Sequence, residues 1–192
     1  MRLTIATFLT LDGVMQAPGG PEEDTSGGFT HGGWQGPLFD EETGHIIDDQ
    51  VRNADGFLLG RRTYDVFASF WPTADQTDLV ARQLNVQPKY VVSTTLDTAS
   101  WDGTTIIREN VVDEIAALKA KPGNELQVHG SGRLARTLME HNLIDEYRLF
   151  IYPIVVGEGQ RLFEPGWSAG LTLTKSTVTS GGTIIATYEP AA

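Results

Sequence analysis

Twice in this chain a short strand pattern meets a glycine turn and then a helical pattern, an arrangement that limits the possible folds more than any other feature. Phe57-Leu58-Leu59 runs into Gly60-Arg61-Arg62-Thr63 and a helix over 64–70, stopped by Trp71-Pro72. Leu126-Gln127-Val128-His129 runs into Gly130-Ser131-Gly132 and a helix over 133–141, with Leu134, Leu138 and Met139 on one face. Short apolar runs bounded by turns are buried strands, and strands buried on both faces belong to parallel sheets. Further strands are predicted at Leu3–Leu9, Tyr90–Val92 and Thr105–Ile107, and further helices over Asp40–Asn53, Leu79–Leu84 and Val111–Lys119. Tyr147–Val156 reads as a long strand with Pro153 inside it, which implies a bulge or an edge. Leu171–Val178 and Thr183–Tyr188 flank Ser180-Gly181-Gly182 as an antiparallel hairpin. The expected class is therefore α/β, with a mostly parallel sheet whose C-terminal end is antiparallel.

One segment resists this pattern. Residues 13–38 hold eight glycines and three prolines and are expected to form no regular element. Long structureless loops inside compact domains are usually functional or disordered, and Phe29, Trp34 and Phe39 supply apolar anchors for a loop folded over a site. A length of 192 residues suits one domain spanning 1–192, large enough for a core without staples, and the absence of cysteine excludes a disulfide framework and a cysteine nucleophile. The net charge of −11 argues against a nucleic-acid partner. That charge is lopsided. Through Leu58 ten acids face two bases, and from Leu59 onward fifteen acids face twelve bases. The N-terminus is already strand-like, without a basic, apolar leader, so no membrane association and a cytoplasmic location are expected.

The chemistry-bearing residues cluster at the turns. Gly130-Ser131-Gly132-Arg133-Leu134-Ala135 matches G-x-G-x-x-A between strand and helix, where backbone amides can approach a pyrophosphate. The acid that would bind a ribose about 20 residues on is missing, because Phe150 and its neighbours are apolar. Instead, Arg61, Arg62 and Thr63 open one helix and Ser93-Thr94 close the next strand, residue types that suit phosphate. Turns at the carboxyl ends of neighbouring parallel strands share one crevice, so three such turns can grip one cofactor. The four histidines, His31, His45, His129 and His141, form no H-E-x-x-H pair, and no metal site is expected.

The stretches Leu58-Leu59-Gly60-Arg61-Arg62-Thr63-Tyr64, Lys89-Tyr90-Val91-Val92-Ser93, Val128-His129-Gly130-Ser131-Gly132, Leu143-Ile144-Asp145-Glu146-Tyr147 and Pro153-Ile154-Val155-Val156-Gly157-Glu158-Gly159 together resemble the dihydrofolate-reductase-like superfamily. Within it they are most similar to the reductase domain of bacterial riboflavin biosynthesis. The resemblance implies a three-layer αβα sandwich and bound NADPH. Arg61, Arg62 and Thr63 would lie near the adenosine phosphates, Ser93 and Thr94 near the 2′-phosphate, and Gly130, Ser131 and Gly132 at the pyrophosphate. Ala6, Gly60, Arg133 and Leu134 complete the implied cofactor contacts. Asp12, Trp34 and Gly157 are implied for substrate, with Asp12, Glu41 and Glu42 as candidate proton donors. The implied activity is an NADPH-dependent reduction of a small heterocycle, as in 5-amino-6-(5-phosphoribosylamino)uracil reductase, with a homodimer as the candidate assembly. A dihydrofolate, other pterin or carbonyl reductase is the alternative substrate class. Two readings from other classes stand beside it: a non-catalytic NADPH-binding protein, and a serine hydrolase with Ser131 on its strand-to-helix turn.

Overall fold

The structure is a computed structural model that describes residues 1–191. Its regular elements are β1 (Arg2–Thr10), α1 (Glu41–Val51), β2 (Ala54–Gly60), α2 (Arg61–Phe70), α3 (Leu79–Val86), β3 (Lys89–Val92), β4 (Thr104–Ile107), α4 (Val111–Lys119), β5 (Glu125–His129), α5 (Gly132–Glu140), β6 (Glu146–Tyr152), β7 (Leu171–Val178) and β8 (Ile184–Pro190). Their hydrogen-bonded order is β4-β3-β2-β5-β1-β6-β8-β7. The pairs β2–β3, β2–β5 and β3–β4 are parallel, while β6–β8 and β7–β8 are antiparallel. The mixed α/β class with an antiparallel C-terminal end is the one expected. Contacts divide the chain into two compact units, Met1–Ile5 with Ile46–Asp145, and Ala6–His45 with Glu146–Ala192.

In the first unit, alternating strands and helices bury Phe57, Leu59, Tyr64, Leu84, Val91 and Trp101 in one cluster. Local chemistry sets the helix ends. The Asp78 carboxylate accepts the Ala81 amide at 2.8 Å and caps α3, while α4 carries Asp113 and Glu114 in its first turn and Lys119 in its last, as the macrodipole favours. Arg61, Arg62 and Thr63 form the first turn of α2, which begins three residues earlier than the 64–70 expected. The fully buried Lys89 ammonium donates to the carbonyls of Leu84, Asn85 and Gln87 at 2.8, 3.2 and 2.9 Å, which closes the C-terminal end of α3. It also stands 4.7 Å from the centre of the Trp101 ring, and its burial lowers its pKa.

In the second unit, residues 13–38 form two single turns of 3-10 helix, Ser26–Gly28 and Gly36–Leu38, and a single bridge from Val14 to Arg161. Buried Gln16 holds the loop together: its amide nitrogen donates to the carbonyls of Asp24 and Ser26, and its oxygen accepts the Gln160 amide at 2.9 Å. Phe29 and Trp34 are buried as anchors, but Phe39 is half exposed and does not serve as one. β6 stops at Tyr152 instead of running to Val156, because Pro153 brings no amide donor to a ladder. The β7–β8 hairpin forms with a register shift between Leu173 and Lys175. Among the described residues no helix is long and apolar enough to cross a membrane.

Candidate functional site

Parallel register brings the three suspected turns side by side. Gly60 is opposite Val92 in β3, and Leu58 is opposite Val128 in β5, so the segments after Gly60, Val92 and His129 leave the same edge of three adjacent strands. Two of these turns are locked together. The Gly60 amide donates to the Ser131 hydroxyl at 2.8 Å, the Ser131 amide donates to the Thr63 hydroxyl at 3.1 Å, and the Ser131 hydroxyl donates to the His129 carbonyl at 2.8 Å. A Cβ at Gly60 would make an ordinary contact with Ser131 Cβ at 3.4 Å, whereas Gly130 holds a φ of +52°, in the left-handed region that favours glycine, beside Thr63 Oγ1. Neither α2 nor α5 has a side-chain cap at its N-terminus. The amides of two adjacent helix starts are thereby presented at one strand edge, which is the donor set that phosphate oxygens need.

The other suspected cofactor residues are placed as follows. Arg61 is half-exposed and its Nε grips both oxygens of Asp65, at 2.9 and 2.8 Å, one turn along α2. Arg62, Arg133 and Thr94 are exposed, and Gly132 is the first residue of α5. Ser93 is buried and accepts the amides of Thr95 and Leu96 at 3.2 and 3.0 Å, with the Thr95 hydroxyl 3.5 Å from its own, which folds its own turn. Leu134 lies on the buried face of α5, and Ala6 is half-buried in β1, within the second unit.

Ser131 has its hydroxyl engaged as donor and acceptor by backbone groups, so no base is placed to take its proton. That geometry is not a hydrolase elbow. Behind the turn, buried Gln127 links two residues that share its face of β5. Its nitrogen donates to the Gln50 carbonyl at 2.7 Å and to Glu125, so its oxygen faces His129 Nε2 at 3.1 Å. A carbonyl only accepts, so His129 carries its proton on Nε2. The sequence alone offered no signal for this arrangement beyond polar residues alternating along a buried strand.

The residues suspected for substrate and proton transfer lie in the second unit. Asp12 accepts the Thr10 hydroxyl at 2.6 Å and the amides of Gly157 and Val156 at 2.8 and 3.2 Å. These bonds, the Thr10 hydroxyl foremost, lower its pKa to about 2, so it holds no proton near neutral pH and fastens the 156–157 loop. Glu42 accepts the Ser180 amide at 2.7 Å, and Glu41 is exposed beside His45 at 3.8 Å. The true start of α1 is made by Asp40, which accepts the Thr43 amide at 2.7 Å and the Gly181 amide at 3.1 Å; the neighbouring Thr179 hydroxyl foremost, with these amides, lowers its pKa to about 2. Trp34 is a buried loop anchor: its Nε1 donates to the Gln16 carbonyl at 2.8 Å, and its ring meets Tyr152 edge-on.

This fold is that of the dihydrofolate-reductase-like proteins. A dihydrofolate reductase from Enterococcus faecalis, solved as a complex with NADP(H), aligns over 100% of this chain and 97% of its own at a TM-score of 0.63, with 14% identity. The chain belongs to the RibD C-terminal domain family, which it matches over residues 2–185. A crystal structure from Shewanella sp. PV-4, described as a candidate riboflavin biosynthesis protein, covers the whole of both chains at a TM-score of 0.75 and 26% identity. The uncharacterised protein YyaP of Bacillus subtilis (strain 168) is 27% identical over 169 residues, 84% of this chain and 80% of YyaP. The chain is thus a RibD C-terminal domain on a dihydrofolate-reductase-like fold.

Proposed function

We propose that the chain is a cytoplasmic, NADPH-dependent reductase of a small heterocyclic substrate. The observation that carries this reading is the pair of interlocked turns, in which Gly60, Thr63, Gly130 and Ser131 set two uncapped helix starts side by side. The left-handed backbone at Gly130 fits a backbone cradle for a pyrophosphate. Arg61 and Arg62 on the first turn of α2, and the Ser93 hydroxyl after β3, supply donors for the remaining phosphates, including the 2′-phosphate. The family match and the NADP(H) complex of the Enterococcus reductase support the choice of nucleotide. When bound, the nicotinamide supplies the hydride; this chain's residues hold the phosphates and orient the dinucleotide.

The roles found for Asp12 and Glu42 favour a second reading, in which the chain binds NADPH without turnover, because both carboxylates are committed to backbone amides. One experiment separates the possibilities. NADPH at about 100 times its Kd should raise folding stability by about 2.7 kcal/mol, seen as a thermal shift, with a much smaller shift for NADH. Loss of NADPH absorbance is then followed with pterins, the ribosylaminopyrimidine of riboflavin synthesis and small carbonyl compounds. Binding without oxidation in any of them selects the second reading, and absence of binding rejects both.

A further inference from the structure

The amino ends of β3 and β4, at the opposite edge from the proposed phosphate turns, hold a cavity that the nucleotide reading does not use. Parallel register sets Lys89 beside Thr104, and the Lys89 amide donates to the Gly103 carbonyl at 2.9 Å, so the segments leading into the two strands run together at that edge. Asn85, Ser100, Trp101 and Asp102 line the cavity with Pro72 and Gln76 from the link between α2 and α3, and its volume is about 290 Å³. All six residues belong to the first unit. β3 is four residues long and spans about 13 Å, which separates the cavity from the turn at Ser93.

The floor of this cavity is fixed by its own hydrogen bonds. The buried Tyr64 hydroxyl accepts the Ser100 and Trp101 amides at 2.9 and 3.1 Å, which holds the backbone of that segment against α2. An indole nitrogen only donates, so the bond from Trp101 Nε1 to Asn85 Oδ1 at 2.7 Å orients the Asn85 amide. Its nitrogen then donates to the Trp71 carbonyl at 2.8 Å and to Gln76 Oε1 at 3.1 Å, and the Gln76 nitrogen donates to the Ala74 carbonyl at 2.7 Å. Most amide donors of the lining are therefore spent within the wall.

What the wall leaves for a ligand is mostly oxygen. Asp102 is exposed and makes no hydrogen bond or ion pair among the described residues, and the Lys89 ammonium, committed to three carbonyls, acts on it only at a distance. The Ser100 hydroxyl and the second lone pairs of Asn85 Oδ1 and Gln76 Oε1 add further acceptors. A full negative charge among neutral acceptors is the complement of a cation that carries several N–H groups. One carboxylate is too little charge to strip a divalent metal ion of its water. We infer that this cavity binds a small organic cation, an amidinium, guanidinium or primary ammonium compound, with its N–H groups on Asp102 and the amide oxygens and its carbon body against Pro72 and Trp101. The volume lies at the lower end of ligand pockets and restricts the occupant to a small molecule.

Benzamidine, a cation at neutral pH, and benzamide, its neutral counterpart of the same shape, test this when titrated into the isotope-labelled full chain and followed by NMR. Benzamidine should move the signals of the Trp101 indole N–H and the Asn85 side-chain amide, with a dissociation constant of about a millimolar for so small a ligand, and benzamide should not. Asp102→Asn should weaken benzamidine at least about tenfold, while Glu109→Gln, which neutralises an exposed acid beyond the far end of β4, should bind like the parent. Unchanged melting temperatures of both variants show that the floor is intact. The titration is made without NADPH, so it succeeds or fails independently of the nucleotide reading. Shifts confined to other residues, equal shifts with benzamide, an Asp102→Asn variant that binds like the parent, or equal loss in both variants overturns the proposal.

Discussion

The Asp12 carboxylate accepts the Gly157 amide at 2.8 Å, so a side chain at the end of the first strand holds a loop 145 residues further along the chain. With the Thr10 hydroxyl on one oxygen and backbone amides on both, Asp12 is stabilised as the anion, and its pKa falls from 3.8 to about 2. A depressed carboxyl pKa adds stability that is complete above the ordinary value and is lost as pH falls through the folded one. Asp12→Asn should therefore be less stable than the parent near neutral pH, by about 1 to 2 kcal/mol after allowance for solvent screening. That gap should close between pH 4 and pH 2. Urea denaturation of both proteins at the two ends of that window measures it.

Ser131 sits between two backbone partners, and removing its hydroxyl strands the Gly60 amide and the His129 carbonyl together. Ser131→Ala should cost about 1 to 3 kcal/mol of stability and weaken NADPH binding, because the two helix starts lose their mutual brace. Thr63→Ser, which keeps the acceptor for the Ser131 amide, should retain most of the affinity, whereas Thr63→Val should not. Calorimetric titration with NADPH gives both answers.

Arg61 and Arg62 are the cations most directly tied to the proposed phosphates. Charge-assisted bonds of this kind are worth about 1.5 to 3 kcal/mol, so each alanine variant should lose roughly tenfold or more in NADPH affinity while folding normally. At least one should also narrow the preference over NADH, read as the ratio of the two dissociation constants. The exposed Arg61–Asp65 pair itself contributes little to stability, and Asp65→Asn should shift the melting temperature hardly at all.

Gly159 is closely enclosed by side chains of the second unit. Its φ is +117°, and a Cβ there would lie 2.8 Å from both Phe29 and Val14. Gly159→Ala should destabilise by about 2 to 4 kcal/mol through strain and overpacking, and Phe29, an anchor of the 13–38 loop, should be displaced. Thermal unfolding and the tryptophan fluorescence of Trp34 in that loop report the two effects.

Patterns that arise from neighbours in sequence were readable without the structure. The helix over Val111–Lys119 has the same bounds in both, since the helical run and Pro122-Gly123 lie within one short stretch. The two strand–glycine–helix units were equally plain, because each joins a buried run, a turn and a helix within some twenty residues, and their presence already pointed to nucleotide phosphates. What those residues touch was not readable. Asp12, Glu41 and Glu42 were acids in plausible places, and only the folded chain brings the Gly157 amide to Asp12 and the Ser180 amide to Glu42. The cavity beside Asp102 likewise depends on the parallel register of β3 and β4 and on the bond from the Trp101 indole to Asn85. Local propensity acts over one turn or one strand and is written in the order of residues. Hydrogen bonds across more than a hundred residues, and the partner that sets a carboxyl's charge, exist only once the chain has closed on itself.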